Sequence, residues 1–270
     1  MRFSTNISIL FKEAPFLERF GKAAEAGFKA VEFWWPTGQN LQEVIAAVKD
    51  AGLTVDLFNF DAGNMPTGDR GLLSDPVRQA QFRENVPVAL DLATQLGTRK
   101  LNALVGRQLP DLNRDEQLEL ARKNVAWAAD QAQKQGIEIL IEAVNTFENG
   151  PYLLSRTEQV ARFIESVGRE NVKLQYDVYH MQRMEGNLIT TLRTYISKIA
   201  HIQIADSPTR GEPGTGEINY RSVLRATDEL GYRGYIGLEY NPTTATTIQS
   251  LEWLPRAARS GETRVADLRF

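Results

Sequence analysis

The chain has 270 residues, of which 42% are hydrophobic and 24% charged, and its formal net charge is −3. This is the composition of an ordinary globular protein, without the basic excess that favours binding to nucleic acid. The chain contains no cysteine, which excludes disulfides, thiolate metal ligands and cysteine nucleophiles. A metal ion would therefore have to bind oxygen atoms or histidine.

The first residues of the chain predict a β-strand. Ser4, Thr5 and Asn6 interrupt the apolar run that a signal peptide requires. No apolar run reaches the roughly 18 residues of a membrane-spanning helix. We therefore expect a cytoplasmic protein with a small-molecule partner and with no membrane or nucleic-acid partner.

Short β-rich runs alternate with helical segments along the whole chain. Eight strands are predicted, at residues 3–10, 30–35, 54–60, 100–106, 138–145, 172–179, 199–205 and 235–240. Eight helices are predicted between and after them, at residues 15–26, 41–51, 75–96, 115–135, 157–167, 188–197, 219–230 and 245–259. Asp75, Thr157 and Asn219 are the predicted N-caps of three of these helices.

Eight strand-then-helix units predict an α/β fold, a single (β/α)₈ TIM barrel that spans residues 1–270 as one domain. An open doubly wound sheet usually carries a glycine-rich phosphate-binding turn after its first strand, and this sequence has none. In such a barrel, functional side chains lie at the C-terminal ends of the strands.

The segment from Asn171 to Gly186 is the most informative stretch of the sequence. It reads NVKLQYDVYHMQRMEG, in which apolar and polar residues alternate before a polar turn. Asp177 is placed near the C-terminal end of this sixth strand, and His180 lies just beyond it. Both residues are therefore expected at the active edge of the barrel.

Polar side chains also interrupt the other late strands. Glu142 lies within the fifth strand, Gln203 within the seventh and Glu239 within the eighth. Together with Asp177, they form an expected site of three carboxylates and one amide oxygen. Such a hard-oxygen donor set suits Mg²⁺ or Mn²⁺ rather than Zn²⁺.

Each of these carboxylates has an alternative interpretation, because a buried acidic group can simply pair with an inward-facing lysine or arginine. Four candidates at equivalent depth on consecutive strands favour the metal site, since Lys173 is the only basic residue in those runs that shares a face with one of them. His201 shares a face with Gln203 but lies deeper, so it is interpreted as a packing residue.

Three further residues are candidates for binding a substrate. Glu148 lies in the loop after the fifth strand, Arg107 in the loop after the fourth and Arg210 in the loop after the seventh. Each can equally be an ordinary surface residue. An arginine on this face would suit an anionic substrate, because a guanidinium binds a carboxylate bidentately.

The aromatic residues Phe33, Trp34, Trp35, Phe58 and Phe60 fall at the ends of the second and third strands. Their expected use is core packing, and some of them are expected to form one wall of a small pocket that excludes water. Hydrogen bonds in that region are expected from Asn6, Glu32 and Asn59.

Several long segments together resemble the hydroxypyruvate isomerase family. They are RFSTNISILF at the start, IEAVN in the fifth strand, and then LQYDVYHMQRMEGNL, HIQIADSPTRGEPGTGEINY and GLEYNP. The resemblance extends over nearly the full length. This family belongs to the wider xylose isomerase-like barrels, which include tagatose-type 3-epimerases and endonuclease IV.

The resemblance implies roles for individual residues. Glu142, Asp177, Gln203 and Glu239 would be the metal ligands, with Glu142 and Glu239 also acting as the proton-transfer pair. Glu148, His180 and Arg210 would contact the substrate, as the corresponding residues of the epimerases do. Gln203 departs from the histidine that epimerases and the endonuclease have, and two histidines in all are too few for the endonuclease zinc cluster.

The reaction implied is the interconversion of hydroxypyruvate and tartronate semialdehyde by proton transfer through an enediolate. A related 2-oxo-tetronate isomerase or a tagatose-type ketose 3-epimerase with the same metal site is the nearest alternative. A non-catalytic keto-acid or sugar-binding barrel is a further one. Dimerisation is implied by the resemblance alone.

Overall fold

The computed structural model describes residues 1–270, and its centre is a closed barrel of eight parallel strands. Each strand pairs with its neighbours in chain order, and the first pairs with the last. The strands are β1 (Arg2–Asn6), β2 (Ala30–Phe33), β3 (Thr54–Asn59), β4 (Lys100–Asn102), β5 (Glu138–Glu142), β6 (Val172–Asp177), β7 (Ile199–Ile204) and β8 (Tyr235–Leu238). The predicted TIM barrel is confirmed.

Helices connect the strands. They are α1 (Glu18–Glu25), α2 (Leu41–Asp50), α3 (Gln79–Leu96), α4 (Arg114–Gln133), α5 (Thr146–Asn149), α6 (Thr157–Val167), α7 (Val178–Met184), α8 (Leu188–Tyr195), α9 (Tyr220–Glu229), α10 (Thr247–Ser250) and α11 (Arg256–Arg259). Several helices begin with a side-chain cap, because the first backbone N–H groups of a helix have no hydrogen-bond acceptor within the helix. Asn40, Asn113 and Asn219 each accept such a hydrogen bond.

The predicted strands are all present, but every one of them ends earlier than predicted. The first strand ends at Asn6 rather than Leu10, because the backbone N–H groups of Ile9 and Leu10 turn back to the Asn6 carbonyl. Likewise the sixth strand ends at Asp177, where α7 begins directly. Apolar runs therefore continue past the sheet into the loops that form the barrel mouth.

Three helix predictions are wrong in detail. The last helix, predicted at residues 245–259, is two short helices, α10 and α11, and Pro255 stands directly before the second. Asp75 is no N-cap, since α3 begins at Gln79, and the Asp75 carboxylate instead accepts from Val77 N. Thr157 is the first residue of α6 and Arg156 is its cap. Asn219 caps α9 as predicted.

The apolar core lies mainly between the barrel and its helices. Phe33 and Phe58 stack with their ring centroids 5.4 Å apart, and Phe33 also packs edge-on against Phe16 and Phe20. These two aromatic residues are fully buried, as the core-packing interpretation predicted. None of the helices combines the length and the apolar character that a membrane span would need.

The inside of the barrel, in contrast, contains polar groups, and one glycine makes space for them. Gly237 in β8 aligns with Gln203 in β7 and with Ser4 in β1. A Cβ atom at position 237 would overlap the carboxylate of Glu32, which is fully buried. The barrel interior is therefore filled at this level by a charged side chain instead of an aliphatic one.

We expect Gly237→Ala to lower the free energy of unfolding by about 1 to 3 kcal/mol, because the added methyl group must displace a buried carboxylate. Gly21→Ala is the matched control, since a Cβ at this helical position meets nothing within 4 Å. That control is expected to stabilise the protein by about 0.5 to 1 kcal/mol. Urea unfolding of both variants measures the difference, and equal stabilities would contradict the packing argument.

Candidate metal and active site

Four side chains predicted to share a site come from four consecutive strands. The strand register places Glu142 beside Gln175, Asp177 beside Gln203, and Gln203 beside Gly237. Glu142, Asp177, Gln203 and Glu239 are each at most 6% exposed. Three carboxylates and an amide are thus buried at the C-terminal end of the barrel, which is where barrel enzymes place their chemistry.

Asp177 is held at the junction between β6 and α7. Its Oδ1 atom caps the helix by accepting hydrogen bonds from Tyr179 N at 2.8 Å and His180 N at 3.4 Å. Its Oδ2 atom is buried and has no hydrogen-bond partner. An unpartnered carboxylate oxygen is costly to bury, so this atom indicates that a cationic ligand completes the site.

Gln175 joins Glu142 to Gln203. Its side-chain amide donates to Glu142 Oε2 at 3.1 Å and to Gln203 Oε1 at 2.7 Å. Asn102 donates a second hydrogen bond to Glu142 Oε2, at 2.9 Å. Glu142 Oε1 accepts no hydrogen bond and is therefore free to bind a ligand.

Glu239 is fixed by three donors from other parts of the barrel. Asn6 Nδ2 and Trp34 Nε1 donate to Glu239 Oε1 at 2.9 and 2.7 Å. Arg210 Nη2 donates to Glu239 Oε2 at 2.5 Å and lies 3.8 Å from Asp177 Oδ2. Arg210 therefore belongs to the carboxylate cluster itself.

The donor set fits a divalent cation. An oxygen of Glu142 and an oxygen of Asp177 lie within 4.8 Å of each other and of a ring nitrogen of His180, so the two carboxylates are close enough to share one ion. Gln203 Oε1 keeps a second lone pair after accepting from Gln175. Carboxylate and amide oxygens are the ligands that Mg²⁺ and Mn²⁺ prefer.

The hydrogen bonds of Asn145 decide which nitrogen of His180 carries a proton. Asn145 Oδ1 accepts from Glu148 N, so its Nδ2 is the atom that lies 2.8 Å from His180 Nδ1. An amide nitrogen only donates, which makes Nδ1 the acceptor and leaves the proton on Nε2. His180 Nε2 lies 3.6 Å from Asp177 Oδ2 and 3.8 Å from Glu142 Oε1. It faces the site as a hydrogen-bond donor.

Burial controls the protonation of these groups. Burial raises the pKa of Glu142 well above its ordinary value, and the neighbouring Glu239 and Asp177 carboxylates raise it further. Burial likewise raises the pKa of Asp177, and that of Glu239 to about 7, although Arg210 opposes both shifts. Burial lowers the pKa of His180 well below its ordinary value, with Arg210 adding to the effect, so His180 is neutral.

The other predicted binding residues lie around this cluster. Glu148 is exposed at the mouth, where its carboxylate accepts from Tyr179 Oη and from Asn145 Nδ2. Arg107 lies further out and donates Nε to the carbonyl of Asn149 at 2.6 Å. Arg210 also lies over the Tyr179 ring, with Cζ 5.3 Å from the ring centroid.

A second charged network lies deeper in the barrel. His201 is fully buried between two carboxylates, with Nε2 2.7 Å from Glu32 Oε2 and Nδ1 3.2 Å from Asp56 Oδ2. Lys100 pairs with the other side of Asp56 at 2.8 Å. Lys100, Asp56, His201 and Glu32 thus form a row of groups that alternate in charge. His201 is therefore an ion-pair residue and not a simple packing residue.

Glu32 connects the two networks. Its Oε1 atom accepts from Gln203 Nε2 at 2.6 Å and from Asn6 Nδ2 at 3.3 Å. Because Glu32 binds the amide nitrogen of Gln203, the amide oxygen is directed to the opposite side, toward Gln175. Glu32 therefore fixes the orientation of a candidate metal ligand.

Sequence reasoning missed Gln175 and Asn102 as members of the site. Gln175 lies two residues before Asp177 on β6, so the same period-2 pattern that located Asp177 points Gln175 into the barrel. Asn102 carried a weaker signal, since β4 has only three residues. Asn6 and Glu32 were expected to supply hydrogen bonds, and they do so.

Fold and site together define a (β/α)₈ barrel with a carboxylate-rich site that can hold a metal ion. The family model of the xylose isomerase-like TIM barrel matches residues 20–257, and the chain belongs to this family. It is 41% identical to hydroxypyruvate isomerase of Escherichia coli over 254 residues, covering 94% of this chain and 98% of that protein. The resemblance seen in the sequence is confirmed.

Two further proteins are similar to this chain over nearly their whole length. The 2-oxo-tetronate isomerase of Cupriavidus necator is 39% identical over 253 residues, covering 94% of this chain and 97% of that protein. A crystal structure described as AP endonuclease, family 2, from Brucella melitensis is 38% identical with a TM-score of 0.89. The match covers 93% of this chain and 97% of that one.

The deeper network predicts a pH-dependent contribution to stability. Burial opposes the charged form of His201, but Glu32 and Asp56 outweigh it and raise the pKa of His201 to about 9. Since the folded pKa exceeds that of the unfolded chain, this stabilisation is complete below about pH 6.5 and is lost as the pH rises through about 9.

We expect His201→Leu to lower the free energy of unfolding by about 3 to 5 kcal/mol near pH 6, because it leaves two buried carboxylates without their shared cation. The difference from the wild type should shrink toward pH 10, where the wild-type imidazole is neutral. Denaturant unfolding at pH 6, 8 and 10 measures this. A difference that stays constant or widens over that range would show that His201 acts only by packing.

Proposed function

We propose that this protein is an isomerase that interconverts hydroxypyruvate and tartronate semialdehyde, with residues 1–270 acting as one domain. The proposal depends on one observation above all. Glu142, Asp177 and Glu239 converge at the C-terminal end of the barrel, and Asp177 Oδ2 is buried there without a hydrogen-bond partner. The 41% identity to a hydroxypyruvate isomerase supports the substrate class.

Glu142, Asp177, Gln203 and Glu239 are the proposed metal ligands, and the proposed metal is Mg²⁺ or Mn²⁺. Charge supports this choice, because three carboxylates and Arg210 carry a formal −2, which a divalent cation neutralises. His180 is excluded from the ligand set because its Nε2 atom carries the proton. When bound, the cation supplies a Lewis acid that polarises substrate oxygens and stabilises negative charge on them.

Proton transfer is assigned to Glu142 and Glu239. In the proposed reaction, one carboxylate removes the proton from C3 of hydroxypyruvate, which yields an enediolate, and a proton is then returned to C2. The hydroxyl proton moves from the C3 oxygen to the C2 oxygen, so the product is an isomer and no redox partner is needed. His180 donates its Nε2–H to a substrate oxygen, and the Trp34 indole keeps Glu239 in place.

We expect the purified protein to convert hydroxypyruvate in the presence of Mg²⁺ or Mn²⁺ and to lose this activity after dialysis against a chelator. Activity should return when either ion is added, because oxygen ligands bind both. A coupled assay for tartronate semialdehyde measures the turnover. Full activity in the chelated protein would reject the metal site.

We expect Glu239→Gln to reduce kcat by about 10² to 10⁴, the range typical of a lost acid–base group, while the fold is kept. The matched control is Glu217→Gln, which makes the same change at an exposed residue in the loop after β7. That variant should retain wild-type activity. Near-native turnover by Glu239→Gln would remove Glu239 from the mechanism.

A second candidate substrate class is supported by a cavity beside the site. The cavity has a volume of about 630 Å³ and is lined by Trp34, Asn59, Asp61 and Arg78, among others. Trp34 contacts both the cavity and Glu239, so a chain longer than three carbons has room to extend there. A related 2-oxo-tetronate isomerase or ketose 3-epimerase is therefore the alternative proposal.

Substrate trials separate the two candidates. A kcat/KM for hydroxypyruvate that exceeds the values for a 2-oxo-tetronate and for a ketohexose supports the first. If the cavity serves a longer substrate, Asn59→Leu should lower kcat/KM for the four-carbon acid while leaving that for hydroxypyruvate unchanged. An equal effect on both substrates would mean that the cavity has no part in selection.

A further inference from the structure

Two arginines at the barrel mouth are held by one asparagine. Arg70, in the loop after β3, donates Nε to Asn149 Oδ1 at 2.6 Å. Arg107, in the loop after β4, donates Nε to the backbone carbonyl of Asn149, also at 2.6 Å. The two guanidinium groups are therefore positioned next to each other by the side chain and the backbone of the same residue.

Neither arginine has a carboxylate partner. Arg70 otherwise donates only to the backbone carbonyls of Met65 and Asp69, through Nη1. Its Nη2 atom and both Nη atoms of Arg107 have no acceptor. Other arginines near the mouth do pair with carboxylates, Arg183 with Glu148 at 3.9 Å and Arg210 with Glu239 at 2.5 Å.

The backbone around Arg107 is shaped to admit its guanidinium group. Gly68 and Gly150 both have positive φ, at 110° and 68°. A Cβ at Gly68 would lie 3.2 Å from Arg107 Nη1, and one at Gly150 would lie 3.2 Å from Nη2. Any larger residue at these positions would crowd the group, so both glycines give the guanidinium room between two loops.

Like charges surround this pair, and for Arg70 the nearby Asp69 carboxylate offsets them only in part. Burial lowers the pKa of Arg70, and the positive charges of Arg107 and Arg210 lower it further. Two adjacent guanidinium groups with free Nη donors are an arrangement suited to an anion, which would receive several charge-assisted hydrogen bonds.

Hydrogen bonds connect this arginine pair, Arg70 and Arg107, to the candidate active site. Asn149 Nδ2 donates to the carbonyl of Asn145 at 3.1 Å. The Asn145 side chain in turn donates to His180 Nδ1 at 2.8 Å. Asn149 and Asn145 thus link the arginine pair to His180, whose Nε2–H donor faces Asp177 and Glu142.

We propose that Arg70 and Arg107 together form the subsite that binds the carboxylate of a 2-oxo acid substrate. This inference rests on the proposed function and adds a residue, Arg70, and a reason for substrate selection. Arg210 does not take this role, because its guanidinium is already bonded to Glu239 and lies close to Asp177. The pair selects 2-oxo acids against neutral ketoses, which lack the anion that completes it.

The experiment compares Arg70→Gln and Arg107→Gln with the wild type, using hydroxypyruvate at saturating metal. The carboxylate keeps its charge and its bonds throughout the reaction, so loss of its partners should act on ground-state and transition-state binding alike. We expect KM to rise about 30-fold or more, with kcat within about fivefold of the wild type. Arg107→Lys keeps the charge but loses the paired Nη donors, and it should give an intermediate KM.

Arg114→Gln is the matched control, because it removes the same charge from the same end of the barrel. Arg114 donates to the carbonyl of Leu153 and should show the wild-type KM when replaced. A KM within about threefold of the wild type in both Arg70→Gln and Arg107→Gln would overturn the subsite. So would an equal rise in the Arg114→Gln control, which would mean a general effect of charge.

Binding of pyruvate to the metal-free protein provides a readout without turnover. Pyruvate has the carboxylate but no C3 hydroxyl, so calorimetry should show binding to the wild type that is at least about tenfold weaker in the two glutamine variants. Binding of inorganic phosphate but not pyruvate would overturn the proposal. If pyruvate binds as expected while hydroxypyruvate is not converted, the subsite stands and the proposed function fails. If hydroxypyruvate is converted but Arg70→Gln and Arg107→Gln keep the wild-type KM and pyruvate affinity, the subsite alone is rejected.

Discussion

The structure depends on how a closed barrel accommodates buried carboxylates. Glu32, Asp56, Glu142, Asp177 and Glu239 all point inside or across the end of the barrel, where each side chain is at most 9% exposed. An isolated carboxylate in such a place would cost several kcal/mol. Each one therefore needs a cation or several hydrogen-bond donors, and the two levels of the barrel meet this need differently.

In the deeper level, the buried carboxylates are paired with cationic side chains of the same chain. Lys100, Asp56, His201 and Glu32 alternate in charge, so every carboxylate there has a protein cation. The upper level has three carboxylates but only one arginine, and Asp177 Oδ2 accepts no hydrogen bond. The imbalance is confined to the end of the barrel at which loops and cavities lie. A lower layer whose charges pair within the chain thus lies beneath an upper layer whose carboxylates outnumber their cations.

The sequence was sufficient to predict the barrel and the strands that carry the site, because period-2 patterns and the alternation of β-rich and helical runs are local signals. It also located Glu142, Asp177, Gln203 and Glu239, since a polar residue inside an apolar strand stands out. The predicted ends of the strands were less accurate, as for β1, because the run of apolar residues continues past the strand into buried turns that include Leu10. The split of the last helix at Pro255 was missed although the proline was visible.

The sequence alone could not predict contacts between residues that lie far apart in the chain. Arg107 and Arg210 both lie in loops after strands, and their positions in the sequence give no reason to separate their roles. Only the structure shows that Arg210 is bonded to Glu239 while Arg107 is next to Arg70. The difference arises from Asn149, which holds both outer guanidinium groups across 79 and 42 residues of sequence. In the proposed enzyme, the loops therefore set specificity for an anion, whereas the strands carry the residues proposed for the chemistry.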